Sequence, residues 1–262
     1  MPYRRTLIVV CVSLLALFEP AAASFIGYTT ESVIDHYRSL DHSEISQGRA
    51  DLISDGHTLV PVNGLAPGSL SGLDTLVVGV VSDGYSLSSA QVDVVEDFVL
   101  AGGKLVFIGE NNKYFHANNV TVGGRFGIAY PTVDPSATIL SDVPLPRHPI
   151  MAGPYGQVDI VDGSNNTPGF FGSMSSPGPY GRSILNFPGG NSAAVVIEPG
   201  ALGVGSGPVV AFATVNIWDN EQYFTADNRA LWRNTFAYIP EPATLGFFAA
   251  GALLVLRRRR QA

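Results

Sequence analysis

Three short polar loops carry the side chains with which the middle of this chain could do chemistry. They are residues 82–85, 109–112 and 216–220, and each follows an apolar run typical of a buried strand. Their candidate ligand-binding residues are Asp83, Tyr85, Glu110, Asn111, Asn112, Trp218 and Asp219. Carboxylate and amide oxygens suit a hard cation such as calcium, and aromatic rings beside hydrogen-bonding groups suit a sugar. The competing interpretation is structural, because Asp, Asn and Gly also populate turns by bending and capping the chain.

A strand, a helix and a second strand must position the first two loops. Residues 75–81 are nearly all apolar, as in a strand buried on both faces. Ser88 begins a capping-box pattern, S-S-A-Q, and an apolar stripe at helical spacing then runs to Gly102. Residues 104–108 form the second apolar run. Strands joined in this way must be parallel, with a right-handed crossover.

The same alternation continues along the chain and predicts its fold class. Further strands are expected at 25–28, 57–62, 193–197 and 208–215, and further helices at 43–54 and 228–239. Residues 121–190 are rich in Gly and Pro and are expected to form a loop-rich insertion. The pattern predicts an α/β fold, an open, mostly parallel three-layer sheet. Its carboxyl strand ends would gather the three polar loops.

The order of these elements resembles the class I glutamine-amidotransferase-like, flavodoxin-like group. The resemblance rests on VEDFVLAGGKLVFIGE, RHPIMAG and NRALWRNTFAYI, and it spans most of residues 26–239. It implies a nucleophilic cysteine on the turn after a central strand and a histidine later in the chain. Here the turn offers Glu110 or Asn111, and the late histidine is His148. The resemblance therefore implies a domain without the group's ordinary activity.

Composition narrows the remaining chemistry. The single cysteine is Cys11, so a chain starting at residue 24 has no disulfide, thiolate metal site or cysteine nucleophile. The five histidines lack HExxH or paired spacing, which argues against a metal hydrolase. Asp159, Asp162, Asn165 and Asn166 lack the alternate spacing of an EF-hand, so an Asx-rich loop is favoured over a calcium site. No cofactor is expected, with calcium the weaker alternative.

The charge of the chain argues against nucleic acid as a partner. Residues 24–239 contain nine basic and 20 acidic residues. A surface this acidic repels phosphate backbones, which disfavours nucleic-acid binding. It suits an exported protein with a solvated surface.

The amino-terminal segment has the pattern of a secretory signal peptide. Arg4 and Arg5 precede an apolar stretch at 7–18, and the small residues Ala21 and Ala23 suit cleavage after Ala23. The chain is therefore expected to pass through the secretion translocon and the inner membrane.

The carboxyl-terminal segment has three parts. A Pro240, Glu241, Pro242 motif precedes an apolar run at 243–256, which ends in Arg257, Arg258, Arg259 and Arg260. A helix of 14 residues reaches only about 21 Å, short of a hydrocarbon core of roughly 30 Å, so it is a marginal anchor. The arginines should stay cytoplasmic, which places the rest of the chain outside.

Together with a signal peptide, these three parts resemble the PEP-CTERM family of exported bacterial proteins. The resemblance covers only the last tenth of the chain and implies processing by an exosortase, a membrane protease or transpeptidase. It also implies release or attachment at the surface of bacteria that make exopolysaccharide. It leaves open whether the tail is removed or retained.

The sequence thus predicts three segments: a signal peptide at 1–23, an α/β body at 24–239 and a sorting tail at 240–262. The favoured function is a non-catalytic protein of the envelope, surface or extracellular matrix. One alternative is a divergent glycan-active hydrolase using Glu110, Asp83 or Asp219. Another is a calcium- or carbohydrate-binding adhesion module.

Overall fold

A seven-stranded, mostly parallel sheet forms the centre of the body. The structure is a computed structural model that describes residues 23–34, 38–135, 137–163 and 171–238. The strand order is β2-β1-β3-β4-β11-β10-β9. The first five of these strands are parallel neighbours, whereas β10 runs antiparallel to both β11 and β9. Their bounds are β1 Phe25–Thr29, β2 Thr58–Val62, β3 Thr75–Val78, β4 Lys104–Ile108, β9 Gly181–Asn186, β10 Ser192–Ile197 and β11 Val209–Phe212.

Helices cover both faces of this sheet, which gives three layers. They are α1 Glu31–Ile34, α2 Ser46–Ser54, α3 Ser89–Leu100, α4 Asn112–Val122 and α5 Asn228–Ala237, with 3-10 turns at Ser43–Ile45, Gly123–Phe126 and Asn216–Trp218. Each face of the sheet packs against its own hydrophobic core. Strand β4 contributes to both cores, because its alternate side chains point to opposite faces. Val106 belongs to one core with Trp232 of α5, and Phe107 belongs to the other with Val95 of α3. The predicted class, α/β with an open, mostly parallel sheet, is confirmed.

The predicted strand–helix–strand unit is present as β3, α3 and β4. The Ser88 hydroxyl accepts from the Gln91 amide, and the Gln91 side chain accepts from the Ser88 amide, completing the capping box. Strand β3 ends at Val78, three residues earlier than predicted. The cause is a crossing segment: the Arg38 carbonyl accepts from the Val80 amide at 2.8 Å. A Cβ on Gly79 would lie 2.2 Å from that carbonyl oxygen, so the backbones touch there.

The predicted loop-rich insertion at 121–190 is too long at its carboxyl end. Residues 181–186 form β9, an edge strand of the main sheet. Between α4 and β9 lie two short antiparallel pairs, β5 Ile139–Leu140 with β8 Val161–Asp162, and β6 Ala152–Gly153 with β7 Gly156–Gln157. Helix α4 itself was not predicted.

Both proposed targeting segments fall outside the described residues, apart from Ala23. The terminal hydrophobic helices, Ala21, the Pro240–Pro242 motif and the arginine cluster therefore remain predictions. Within 23–34, 38–135, 137–163 and 171–238, no helix is long and apolar enough to cross a bilayer.

Candidate functional site

The three predicted loops meet the sheet at one edge. We call this the carboxyl edge: the ends of β3, β4 and β11 and the segments that follow them, 79–85, 109–112 and 213–220. The three strands are parallel neighbours, so their loops emerge side by side. Direct bonds join two loops, because the Glu110 carboxylate accepts from the Val215 amide at 3.1 Å and the Thr214 hydroxyl at 3.3 Å.

Glu110, which the sequence comparison places at the nucleophile turn of the amidotransferase-like group, is only 2 % exposed. One carboxylate oxygen accepts from the Asn111 backbone and side chain, at 2.8 and 3.3 Å, and the other faces Thr214 and Val215. Burial raises the pKa of Glu110 to about 7, although these hydrogen bonds favour the charged form. The carboxyl group can therefore hold a proton near neutral pH.

Asn111 and Asn112 have structural partners that the sequence did not reveal. The Asn111 side chain accepts from the Tyr114 amide and caps the start of α4. Asn112 donates from its backbone to Asp134 at 2.5 Å and from its side chain to Asp134 at 2.6 Å and the Ser173 carbonyl at 2.9 Å. Both asparagines are buried, so the structural interpretation of their turn fits their surroundings.

A segment of the insertion covers this part of the carboxyl edge. A Cβ on Gly172 would lie 2.0 Å from the Ala213 carbonyl oxygen and 2.6 Å from that of Glu110. The backbone of residue 172 therefore lies directly across the ends of β4 and β11. Neighbouring Phe171 and Ser173 are 2 % and 1 % exposed. Residues 171–173, which we call the cover segment, therefore pack over the backbone at Glu110, whose side chain is buried.

Trp218 does not form the aromatic platform expected of it, and this part of the prediction is wrong. Its ring is fully buried, with its centroid 4.9 Å from those of Phe212 and Trp232. Its partners lie on β11 and α5, so the ring fills the core between the sheet and its last helix.

Asp219 is also largely enclosed. It is 8 % exposed, and its Oδ1 lies 3.6 Å from Nε of Arg38. Burial raises the pKa of Asp219 to about 6, while the Arg38 guanidinium acts in the opposite direction. Arg38 also pairs with Val80, just after the end of β3. Residues 38–40, which we call the Arg38 strap, therefore cover this side of the edge.

Asp83 and Tyr85 are the two predicted site residues that remain open to solvent. Both belong to the loop after β3, and Tyr85 is 58 % exposed. This loop is the part of the carboxyl edge where a surface ligand would have access. The structure thus divides the predicted cleft into an open loop and a buried group comprising Glu110, Asn111, Asn112, Trp218 and Asp219.

His148, the late histidine of the amidotransferase comparison, does not approach Glu110. Its Nε2 lies 3.4 Å from the Glu198 carboxylate, and its ring stacks edge-on against Tyr238 with centroids 4.8 Å apart. Glu198 follows the end of antiparallel β10 and therefore lies at the opposite edge of the sheet. Burial lowers the pKa of His148 to about 4. A Glu110–His148 catalytic pair is excluded by this topology.

The described residues contain no group of three His, Cys, Asp or Glu side chains arranged to hold a metal ion. In the acidic sequence cluster, Asp159 pairs with Arg147 and Gln157. Asn165 and Asn166 lie outside the described ranges, so the calcium alternative there remains untested.

The opposite edge holds a groove that sequence reasoning missed. We call this side the amino edge: the starts of β1, β3, β4 and β11 and the segments that precede them. A groove of about 520 Å³ lies there, lined by residues 23–24, 73–75, 101–104, 206–208 and the end of α5 with Tyr238. The described chain therefore begins and ends in the same groove, which we call the terminal groove.

Lys104 anchors this groove. The side chain is 7 % exposed, and its ammonium donates to the carbonyls of Thr235, Phe236 and Tyr238 at 3.0, 3.1 and 3.2 Å. These carbonyls end α5, where a positive charge is favourable. Burial lowers the pKa of Lys104 to about 7, against the effect of the Asp74 carboxylate. A lysine that opens an otherwise apolar strand was the available sequence signal.

Comparison with known proteins supports the fold and not a function. No protein-family model matches the chain, and no curated protein matches it in sequence. The mmIFT52 N-terminal domain is similar in structure, with a TM-score of 0.63 and 13% identity over 80% of this chain and 95% of that domain. Cytoplasmic protein STM1381 from Salmonella typhimurium LT2 has a TM-score of 0.56 and 13% identity over 83% of this chain and 100% of its own.

A second Salmonella typhimurium cytoplasmic protein, STM3548, is similar at a TM-score of 0.52 and 13% identity, over 82% of this chain and 98% of its own. At these identities the likeness concerns the fold alone. It agrees with a mixed α/β body built on a mostly parallel sheet.

Proposed function

We propose that the protein is exported and then sorted at the cell envelope through its carboxyl-terminal tail, with a body that is non-catalytic. The observation that carries the sorting proposal is the Pro240–Glu241–Pro242 motif followed by the apolar run and four arginines. Guanidinium groups resist transfer across a bilayer, so they hold the tail at the inner leaflet while the body lies outside. An exosortase is the proposed partner that processes it.

The body is proposed to be an amidotransferase-like, flavodoxin-like domain that has lost its reaction. Support comes from Glu110, which stands where the nucleophile belongs. A nucleophile must reach a substrate, but both oxygens of this carboxylate are engaged in hydrogen bonds and the cover segment lies over its backbone. The proposed role is therefore that of a surface or matrix protein, with exopolysaccharide as a candidate neighbour.

Mass spectrometry of the protein from the culture medium and from membranes tests the sorting proposal. We expect a mature form that starts at Ser24 and lacks the arginine cluster. Replacing Arg257–Arg260 with serines should leave signal cleavage intact and abolish tail processing. A protein recovered from the cell interior with both terminal segments intact contradicts the proposal.

A further inference from the structure

Both ends of the body are fixed at the amino edge of the sheet. At the start, the Ser24 amide donates to Nδ1 of His57 at 3.3 Å, and the Ser24 carbonyl accepts from the Thr58 amide at 3.0 Å. At the end, the Tyr238 carbonyl accepts from Lys104, and the Tyr238 hydroxyl donates to Glu198 at 2.6 Å. The two points from which the chain leaves the body are therefore set by the fold.

Short connections join these points to the two apolar segments. Four residues lie between Tyr238 and the apolar run that starts at Ala243, and four lie between Phe18 and Ala23, so each connection is five residue steps long. A fully extended chain covers at most about 3.6 Å per residue, so neither connection spans more than about 18 Å. When the tail lies in a bilayer, the amino edge must stay within that distance of the start of the apolar run.

Part of the surface at this edge is apolar, although the exposed Asp74 also lies there. Residues 199–208, the loop between β10 and β11, contain no charged residue, and Val204 at its tip is wholly exposed. Phe25, Ile53 and Leu100 are 53 %, 58 % and 45 % exposed. They lie at the same edge because β1 begins there and α2 and α3 end there. Scattered exposed apolar residues are ordinary, but here they lie where the chain must approach lipid.

We infer that the amino edge is a membrane-facing surface and that the 199–208 loop contacts lipid while the tail is anchored. This inference rests on the proposed sorting function. The body then stands with its carboxyl edge and the loop of Asp83 and Tyr85 directed away from the membrane. The Pro240–Pro242 motif is held beside the bilayer, where a membrane-embedded protease can reach it.

Single-cysteine labelling tests the orientation, because a chain starting at Ser24 has no cysteine. Val204→Cys places an environment-sensitive fluorophore on the amino edge. The matched control is Val133→Cys, which is 77 % exposed and adjoins Asp134, the partner of Asn112 at the carboxyl edge. Both variants, with the tail retained, are reconstituted into phosphatidylcholine vesicles, and quenching by aqueous iodide is measured.

We expect the label at 204 to be quenched at least about threefold less than the label at 133, because an apolar loop at the interface is shielded from water. Removing residues 240–262 should make the two labels equally accessible. Equal quenching in protein that floats with the vesicles overturns the orientation and leaves the sorting proposal intact. Failure of the tail-bearing protein to float overturns both.

Discussion

The two edges of the central sheet have opposite characters. At the carboxyl edge, where open α/β sheets usually bind ligands, the cover segment and the Arg38 strap bury Glu110 and Asp219. At the amino edge, where ligands are not usual, a groove of about 520 Å³ holds both ends of the described chain. The fold has the usual strand arrangement, but this groove lies on the side opposite the usual one.

This difference changes how the raised pKa of Glu110 is interpreted. A buried carboxyl group with a pKa near 7 is normally a reason to look for catalysis. Here the same property follows from a segment that packs over the strand ends. The raised pKa of Glu110 therefore indicates that the cover segment closes the carboxyl edge. The contrast between the two edges depends on whether that edge is filled.

Replacing Gly172 tests the closure most severely. Gly172→Ala would place a methyl group against two backbone carbonyls, which cannot move as a flexible side chain can. We expect the free energy of unfolding to fall by about 3 kcal/mol or more. Urea denaturation followed by circular dichroism measures it. Gly64→Ala is the matched control, since nothing lies within 4 Å of the added methyl, and an equal, small effect at both sites would mean that the cover segment is loose.

The pH dependence of stability tests the burial of Glu110. The folded state holds the proton up to a pKa of about 7, whereas the ordinary value is 4.5. The unfolded chain therefore releases its proton first, and stability present below pH 4.5 is lost as pH rises to about 7. Converted to free energy, the loss is roughly 3 kcal/mol.

The difference in unfolding free energy between the wild type and Glu110→Gln isolates this effect, because the contributions of Asp219 and His148 cancel. We expect the unfolding free energy of the wild type, relative to that of Glu110→Gln, to fall steadily between pH 4.5 and pH 7. A difference that stays constant over this range would show a solvated carboxylate and an open edge.

Replacing Lys104 tests the amino edge, where this side chain holds the end of α5. Lys104→Met retains the apolar stem but leaves three carbonyls at the end of α5 without their donor. We expect a loss of about 2 kcal/mol in the free energy of unfolding and faster proteolysis near Tyr238. Lys113→Met is the control, because Lys113 is exposed and its ammonium lies 4.8 Å from the centre of the neighbouring Tyr114 ring. Similar losses for both variants would contradict an anchoring role.

The elements with strong local patterns were predictable from sequence. The β3–α3–β4 unit is an example, since its apolar runs, its capping box and Gly102 all agree. Helix α4 was missed because NKYFHANNVTV has no clear apolar stripe. Asn119, which lies on it, is satisfied by the Glu110 backbone and Asn112, and these contacts exist only in the folded structure.

The candidate site was predicted in position but not in accessibility. Parallel strands determine that three loops share an edge, so their gathering follows from the order of elements. What covers them depends on partners distant in sequence, such as Gly172 over Glu110 and Trp232 against Trp218. The sequence of residues 216–220 alone does not predict that Trp218 is buried. The role of Lys104 was hidden for the same reason, because its three acceptors lie more than 130 residues later.

The loop of Asp83 and Tyr85 gives the smallest expected effect on stability and the clearest test of the remaining binding alternative. Both side chains are exposed, so Asp83→Ala and Tyr85→Ala should each change the free energy of unfolding by no more than about 0.5 kcal/mol. Calorimetric titration of the wild type with calcium chloride and with exopolysaccharide should show no binding that either substitution removes. If heat is released and both variants lose it, the carboxyl edge is closed only above β4 and β11, and the loop after β3 is a binding site. The contrast between the edges would then narrow to a contrast within one edge, between a filled turn at Glu110 and an open one at Asp83.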